Sequence, residues 1–134
     1  MAGVHEMGID KLIWSLYEVQ RPFETIRAWK GGPFPNWLKY YYAPLGKDAG
    51  NLPTFTELTT HPGIRNHYVI RSLIDNFPKA ITLTAIKTIQ GIVVFDGMHR
   101  ACAMTISHSQ GRPVDTTVSV ALAEINGNLP QGTV

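Results

Sequence analysis

The chain has 134 residues, 44% of them hydrophobic, enough to bury a core within one domain. Only 16% are charged, against roughly 25% in an average domain, and a net charge of +2 is too small to argue for nucleic acid by electrostatics alone, which leaves it an unexpected but not excluded partner. One cysteine, Cys102, excludes an intrachain disulfide and any multi-cysteine zinc site. So thin a charged surface suits a chain that forms homo-oligomers or packs against a partner.

The opening MAGVHEMGID lacks a basic stretch followed by an apolar one, so no signal peptide is expected. The longest aliphatic-aromatic run, residues 92–95, falls far short of the ~20 residues of a membrane helix. The expected setting is soluble and cytoplasmic, without membrane contact.

Ile9, Leu12, Ile13, Leu16 and Tyr17 recur at helical spacing, with Asp10 in the first turn, and predict a helix over 9–20 ended by Pro22. A second short helix is predicted over 23–29, stopping at Gly31-Gly32-Pro33. Residues 31–53 are broken by Gly and Pro and carry Trp37 and Tyr40-Tyr41-Tyr42, which reads as an irregular aromatic cover rather than a strand. A helix over about 66–77 follows, with Ile70, Leu73 and Ile74 on one face. AITLTAIK and GIVVFDG are β-branched runs joined by TIQ, predicting a hairpin. Met98, Ala101, Cys102, Thr105 and Ile106 predict a helix over 98–109, closed by Gly111 and Pro113. VDTTVSVALAEI alternates as a last strand, and the Gly/Pro-rich tail from Asn126 is expected to fray. The class is α+β, in one domain: a helical and irregular N-terminal cover (1–53), a core (54–125) and a tail (126–134).

The informative stretch is FDGMHRACAM, residues 95–104. Asp-Gly between apolar runs is a hairpin signal, but Met98-His99-Arg100-Ala101-Cys102 has no β-branched residue and is rich in helix formers. The order is therefore strand, tight turn, helix. The first amides of a helix have no internal partner, and its dipole adds about half a positive charge at the same end. That combination suits an anion. Gly97 lets a phosphate approach the backbone, Arg100 can fork onto two of its oxygens, and His99 can donate a further hydrogen bond. Asp96 would repel a bare phosphate; it makes sense if it holds a divalent cation, binds a ribose, or takes a proton from an attacking hydroxyl. The plainer alternatives are that Asp96 caps the helix and that Arg100 pairs with Asp96 or Glu124 at the surface.

The sequence of helix, strand, strand ending in DGMHR, small-residue helix and strand VDTTVSVAL resembles the ParB/sulfiredoxin superfamily over residues 55–125. DGMHRACAM is most similar to the D-G-x-H-R form of ParB-like proteins. The resemblance implies a small mixed sheet with packed helices. It also implies nucleotide phosphates against Gly97, Met98, His99 and Arg100. Asp96 and His99 become the candidate catalytic residues, with Asp96 also the candidate ligand for Mg2+, as in the free-serine kinases of the superfamily. ATP or another nucleoside triphosphate is the implied cofactor, and a small hydroxyl compound or sugar the implied acceptor. Sulfiredoxins place a reactive cysteine just before the motif histidine, where this chain has Met98, with Cys102 a helical turn further on. Chromosome-partition ParB proteins carry G-E-R-R-like text at this site and a helix-turn-helix domain after it. Two classes of function follow: phosphotransfer or nucleotide hydrolysis, and a non-catalytic nucleotide-binding or DNA-associated module.

Other candidates are weaker. His61 and His67, or His99 and His108, have no spacing that pairs them on one helical face, and there is no H-E-x-x-H. Cys102 sits among alanines on the inward face of its helix and reads as a small buried hydrophobe. Trp29, Trp37 and Tyr40 to Tyr42 either seal the core or offer a stacking surface. Glu24 or Glu57 is a candidate second acid for the site.

Overall fold

The computed structural model describes residues 12–112 and 115–125. The two β-branched runs form β3 (Ala80–Thr88) and β4 (Gly91–Asp96), an antiparallel hairpin as predicted. A helix over Met98–Ser109 leaves β4 through Gly97, and the chain returns as Thr117–Glu124, parallel to β3. That last strand is β5. Two short strands complete the sheet: β1 (Ser15–Glu18), antiparallel to β5, and β2 (Lys30–Gly31), parallel to β4. The strand order is β1-β5-β3-β4-β2, a mixed five-stranded sheet in an α+β fold.

The helices are α1 (Pro22–Ile26), α2 (Pro35–Trp37), α3 (Phe55–Leu58), α4 (Pro62–Arg65), α5 (Tyr68–Asp75) and α6 (Met98–Ser109). α6 is the hub. Met98 and every residue from Ala101 to Ser107 are buried, so this helix is enclosed nearly all round rather than amphipathic. Ala101, Cys102 and Ala103 are small enough to let α5, α1 and α3 pack close to it. Met104 and Ile106 share the core with Leu83, Ile86 and Val93 of the hairpin. Each such side chain contributes about 1.5–3 kcal/mol on burial.

The segment before the core is tied down at named points. The Gln90 side chain, from the hairpin turn, accepts from Leu52 N at 2.8 Å and donates to Ala49 O at 3.1 Å. Thr54 and Glu57 form a reciprocal capping box that starts α3.

Three predicted elements are corrected. Residues 15–18 of the predicted 9–20 helix are the edge strand β1, with Leu16 and Tyr17 exposed; residues 9–11 lie outside the described residues. A helix this short is marginal by itself, whereas β1 pairs its backbone with residues 119–122 of β5. Pro22 does not end a helix but opens α1, where its missing N–H is harmless, and α1 stops at Ile26 instead of 29. Residues 31–53 are more regular than predicted. They hold the end of β2, α2, a π-helical turn over Leu38–Tyr42 and a 3-10 turn over Ala43–Leu45. The 66–77 prediction survives as α5, trimmed at both ends. Pro113 and the tail from Asn126 lie outside the described residues. Among the described residues no helix is long and apolar enough to cross a membrane.

Candidate functional site

β4 is bulged just before it ends. Thr84 faces Asp96 while Ala85 faces Val94, which leaves Phe95 as the extra residue. A bulge bends the strand and re-aims the side chains beyond it. Val93, Val94 and Phe95 are consequently all buried, and Asp96 emerges exposed.

Gly97 follows with φ of 96°, a conformation that side chains disfavour. A Cβ there would overlap Leu83 Cδ2. The fold itself therefore requires a glycine here, whatever approaches its backbone. Gly97 is also the N-cap of α6 and brings no side chain to the task, and Asp96 does not cap either. The first intrahelical bond runs from Ala101 N to Gly97 O at 2.9 Å, so the amides of Met98, His99 and Arg100 remain without protein partners among the described residues.

Those amides open into a cleft of about 280 Å3, walled by Val69 and Leu73 of α5 and by residues 96–100. All five sequence-selected residues therefore meet in one place. Arg100 and Asp96 are exposed, and the ion pairs among the described residues are Arg21–Glu24, Lys47–Glu57 and Arg112–Asp75. Neither surface pairing considered for Arg100 forms. Met98 is different: it is 6% exposed, and its sulfur accepts from Gly32 N at 3.5 Å. Its side chain belongs to the core, and only its backbone amide suits a ligand.

His99 is half-buried, with its ring centroid 5.4 Å from Trp37 and 4.9 Å from His67. Burial, and then the charge of His67, push its pKa below the ordinary value. A neutral imidazole at pH 7 results, able to accept a proton. His67 uses Nδ1 to accept from Val69 N at 3.2 Å, which caps α5.

The row of rings continues from Trp37 to Tyr41 (5.2 Å) and on to His61 (5.3 Å), whose Nδ1 caps α4 by accepting from Gly63 N. The aromatic segment thus divides. Tyr42 is fully buried, its hydroxyl donates to Gly32 O at 2.7 Å, and burial pushes its pKa up. Trp29 packs against the core. Trp37 and Tyr41 are half-buried and do not line the cleft, Trp37 backing His99, while Tyr40 is exposed beneath Lys39.

Neither candidate second acid reaches the cleft. Glu57 is held by Thr54 N at 3.0 Å and by Lys47 at 3.0 Å, which together lower its pKa. Glu24 lines a separate cleft of about 500 Å3, with His108 and Arg112 near the far end of α6. Cys102 is fully buried, and burial pushes its thiol pKa up, so it is no nucleophile in the native fold. Among the described residues no three of His, Cys, Asp or Glu gather as a metal cluster.

Sequence reasoning missed His67, Val69 and Leu73. Compared only with His61, His67 had no partner; its neighbour His99 comes from another element, which no local spacing reveals. Comparison with family models, with curated proteins and with solved structures returned no match.

Proposed function

We propose that this protein is a nucleotide-binding enzyme of ParB/sulfiredoxin-like fold that moves a phosphoryl group from ATP to a small hydroxyl compound or sugar, or to water. The observation that carries it is the set of amides at residues 98–100, uncapped among the described residues and opening into a cleft where an imidazole, a carboxylate and a guanidinium unpaired among those residues converge. The amides and the helix dipole favour phosphate oxygens, and Arg100 adds a bidentate donor. The cleft lies slightly under the roughly 300–1,000 Å3 of pockets that enclose a drug-sized ligand, so it suits the phosphate end of a nucleotide with the base lying outside.

Mg2+ usually needs only one or two protein carboxylates when phosphates supply the rest, and Asp96 provides one. Bound there, it would neutralise charge on the phosphates. His99, neutral at pH 7, accepts the proton of the attacking hydroxyl, and its half-buried neighbours Trp37 and His67 fix its ring.

A second reading, a non-catalytic nucleotide switch, is favoured by one observation: among the described residues Asp96 is the only carboxylate lining the cleft. Nucleotide consumption by wild type and by Asp96→Asn separates the two. The enzyme reading expects a loss on the order of 100-fold in turnover with binding largely kept. Binding without turnover in wild type, across nucleotides and hydroxyl acceptors, would leave the switch.

A further inference from the structure

A second cleft, of about 230 Å3, lies further along α6 and shares no residue with the first. Arg27 and Arg65 stand at it, together with Thr56, Thr59, Thr60 and Thr105, and among the described residues no carboxylate lines it.

The hydroxyls there have a common state. Thr56 Oγ1 donates to Arg27 O (3.0 Å), Thr59 Oγ1 to Phe55 O (2.8 Å), Thr60 Oγ1 to Glu57 O (2.6 Å) and Thr105 Oγ1 to Ala101 O (2.9 Å). A hydroxyl has one proton, and each of these has placed it on a backbone carbonyl. What remains for a ligand is lone pairs. The positive donors are the guanidinium groups. Arg65 Nη1 donates to Thr59 O at 3.3 Å, which holds that group over the cleft with its other N–H bonds free, and neither arginine joins an ion pair among the described residues.

An anion without protons, such as sulfate, would satisfy the arginines but bring no proton to the threonines. A neutral polyol would do the reverse. We propose that this cleft binds a small hydroxylated anion, its phosphate or carboxylate on Arg27 and Arg65 and its hydroxyls donating to the threonines. The cleft is smaller than those enclosing drug-sized ligands, as such a compound requires. The proposal stands apart from the reading of residues 96–100, whose residues it does not use.

The test is an amide chemical-shift titration of the full chain with glycerol 3-phosphate, malate, sulfate and glycerol. Glycerol 3-phosphate or malate should shift amides at 56–60 and 105–109. They should bind at least about tenfold more tightly than glycerol, since a hydrogen bond with a charged partner is worth roughly a factor of ten, and about fivefold or more above sulfate, since a neutral hydrogen bond is worth roughly a factor of five. Whichever of the two binds identifies the anionic group. Arg65 is exposed, so Arg65→Gln should fold normally and weaken binding about tenfold or more. Thr105→Val should weaken the hydroxylated anion but not sulfate, and Arg100→Ala should change neither. No shift at these amides, sulfate binding as tightly as the hydroxylated anions, or unchanged affinity in Arg65→Gln would overturn the proposal.

Discussion

His67 and His99 meet with ring centroids 4.9 Å apart, one capping α5 and the other in the first turn of α6. The contact joins the two helices that wall the cleft, and it lets the charge of His67 oppose the charging of His99. His99 therefore has a lowered pKa, from burial first and His67 second. Between that folded value and the ordinary 6.5, the unfolded chain binds more protons than the folded one. Stability contributed by neutral His99 is present above pH 6.5 and is lost as pH falls through the folded value. His67→Asn keeps a side chain able to cap α5 and removes the charge. The His99 pKa, followed by imidazole resonances, should rise part of the way toward 6.5, because burial remains. An unchanged titration would mean that His67 exerts no field on His99.

Gly97 is expected to be intolerant of any side chain. Gly97→Ala must hold φ near 96° and displace Leu83 at once, so it should lose about 1–3 kcal/mol by urea unfolding. Adding Leu83→Ala should not rescue it, since the backbone strain stays and a core side chain is lost. A Gly97→Ala protein as stable as wild type would contradict the left-handed turn.

Cys102 should react slowly with a thiol reagent in the native protein and fast in denaturant, because burial both shields the thiol and raises its pKa. Fast labelling of the folded protein, with loss of activity, would bring back a sulfiredoxin-like role for it.

The hairpin, α6 and the strand-turn-helix at residues 95–100 were legible because their signals are local. β-branched runs, helix formers and a glycine at a junction act within a few residues of one another. β1 was not legible, because its apolar spacing mimics a helix and only pairing with β5, distant in sequence, makes it a strand. The site followed the same division. The five consecutive residues 96–100 announce themselves, whereas the opposite wall comes from α5 and the imidazole partner from its cap. The bulge at Phe95 depends on register with β3 and leaves no mark in composition. Glu24 and Glu57 were sensible acids in sequence, yet one faces the far end of α6 and the other is consumed by a capping box.

The central claim is that the start of α6 holds nucleotide phosphates, and calorimetry with ATP and Mg2+ on wild type and Arg100→Ala tests it most directly. Arg100 is exposed and unpaired among the described residues, so its removal should leave the fold intact. Wild type should bind, and loss of a bidentate charged contact should weaken Arg100→Ala by about tenfold or more, with Arg100→Lys weakened several-fold because a point charge cannot fork. Equal affinity in wild type and Arg100→Ala, or no heat of binding in wild type, would contradict the phosphate site.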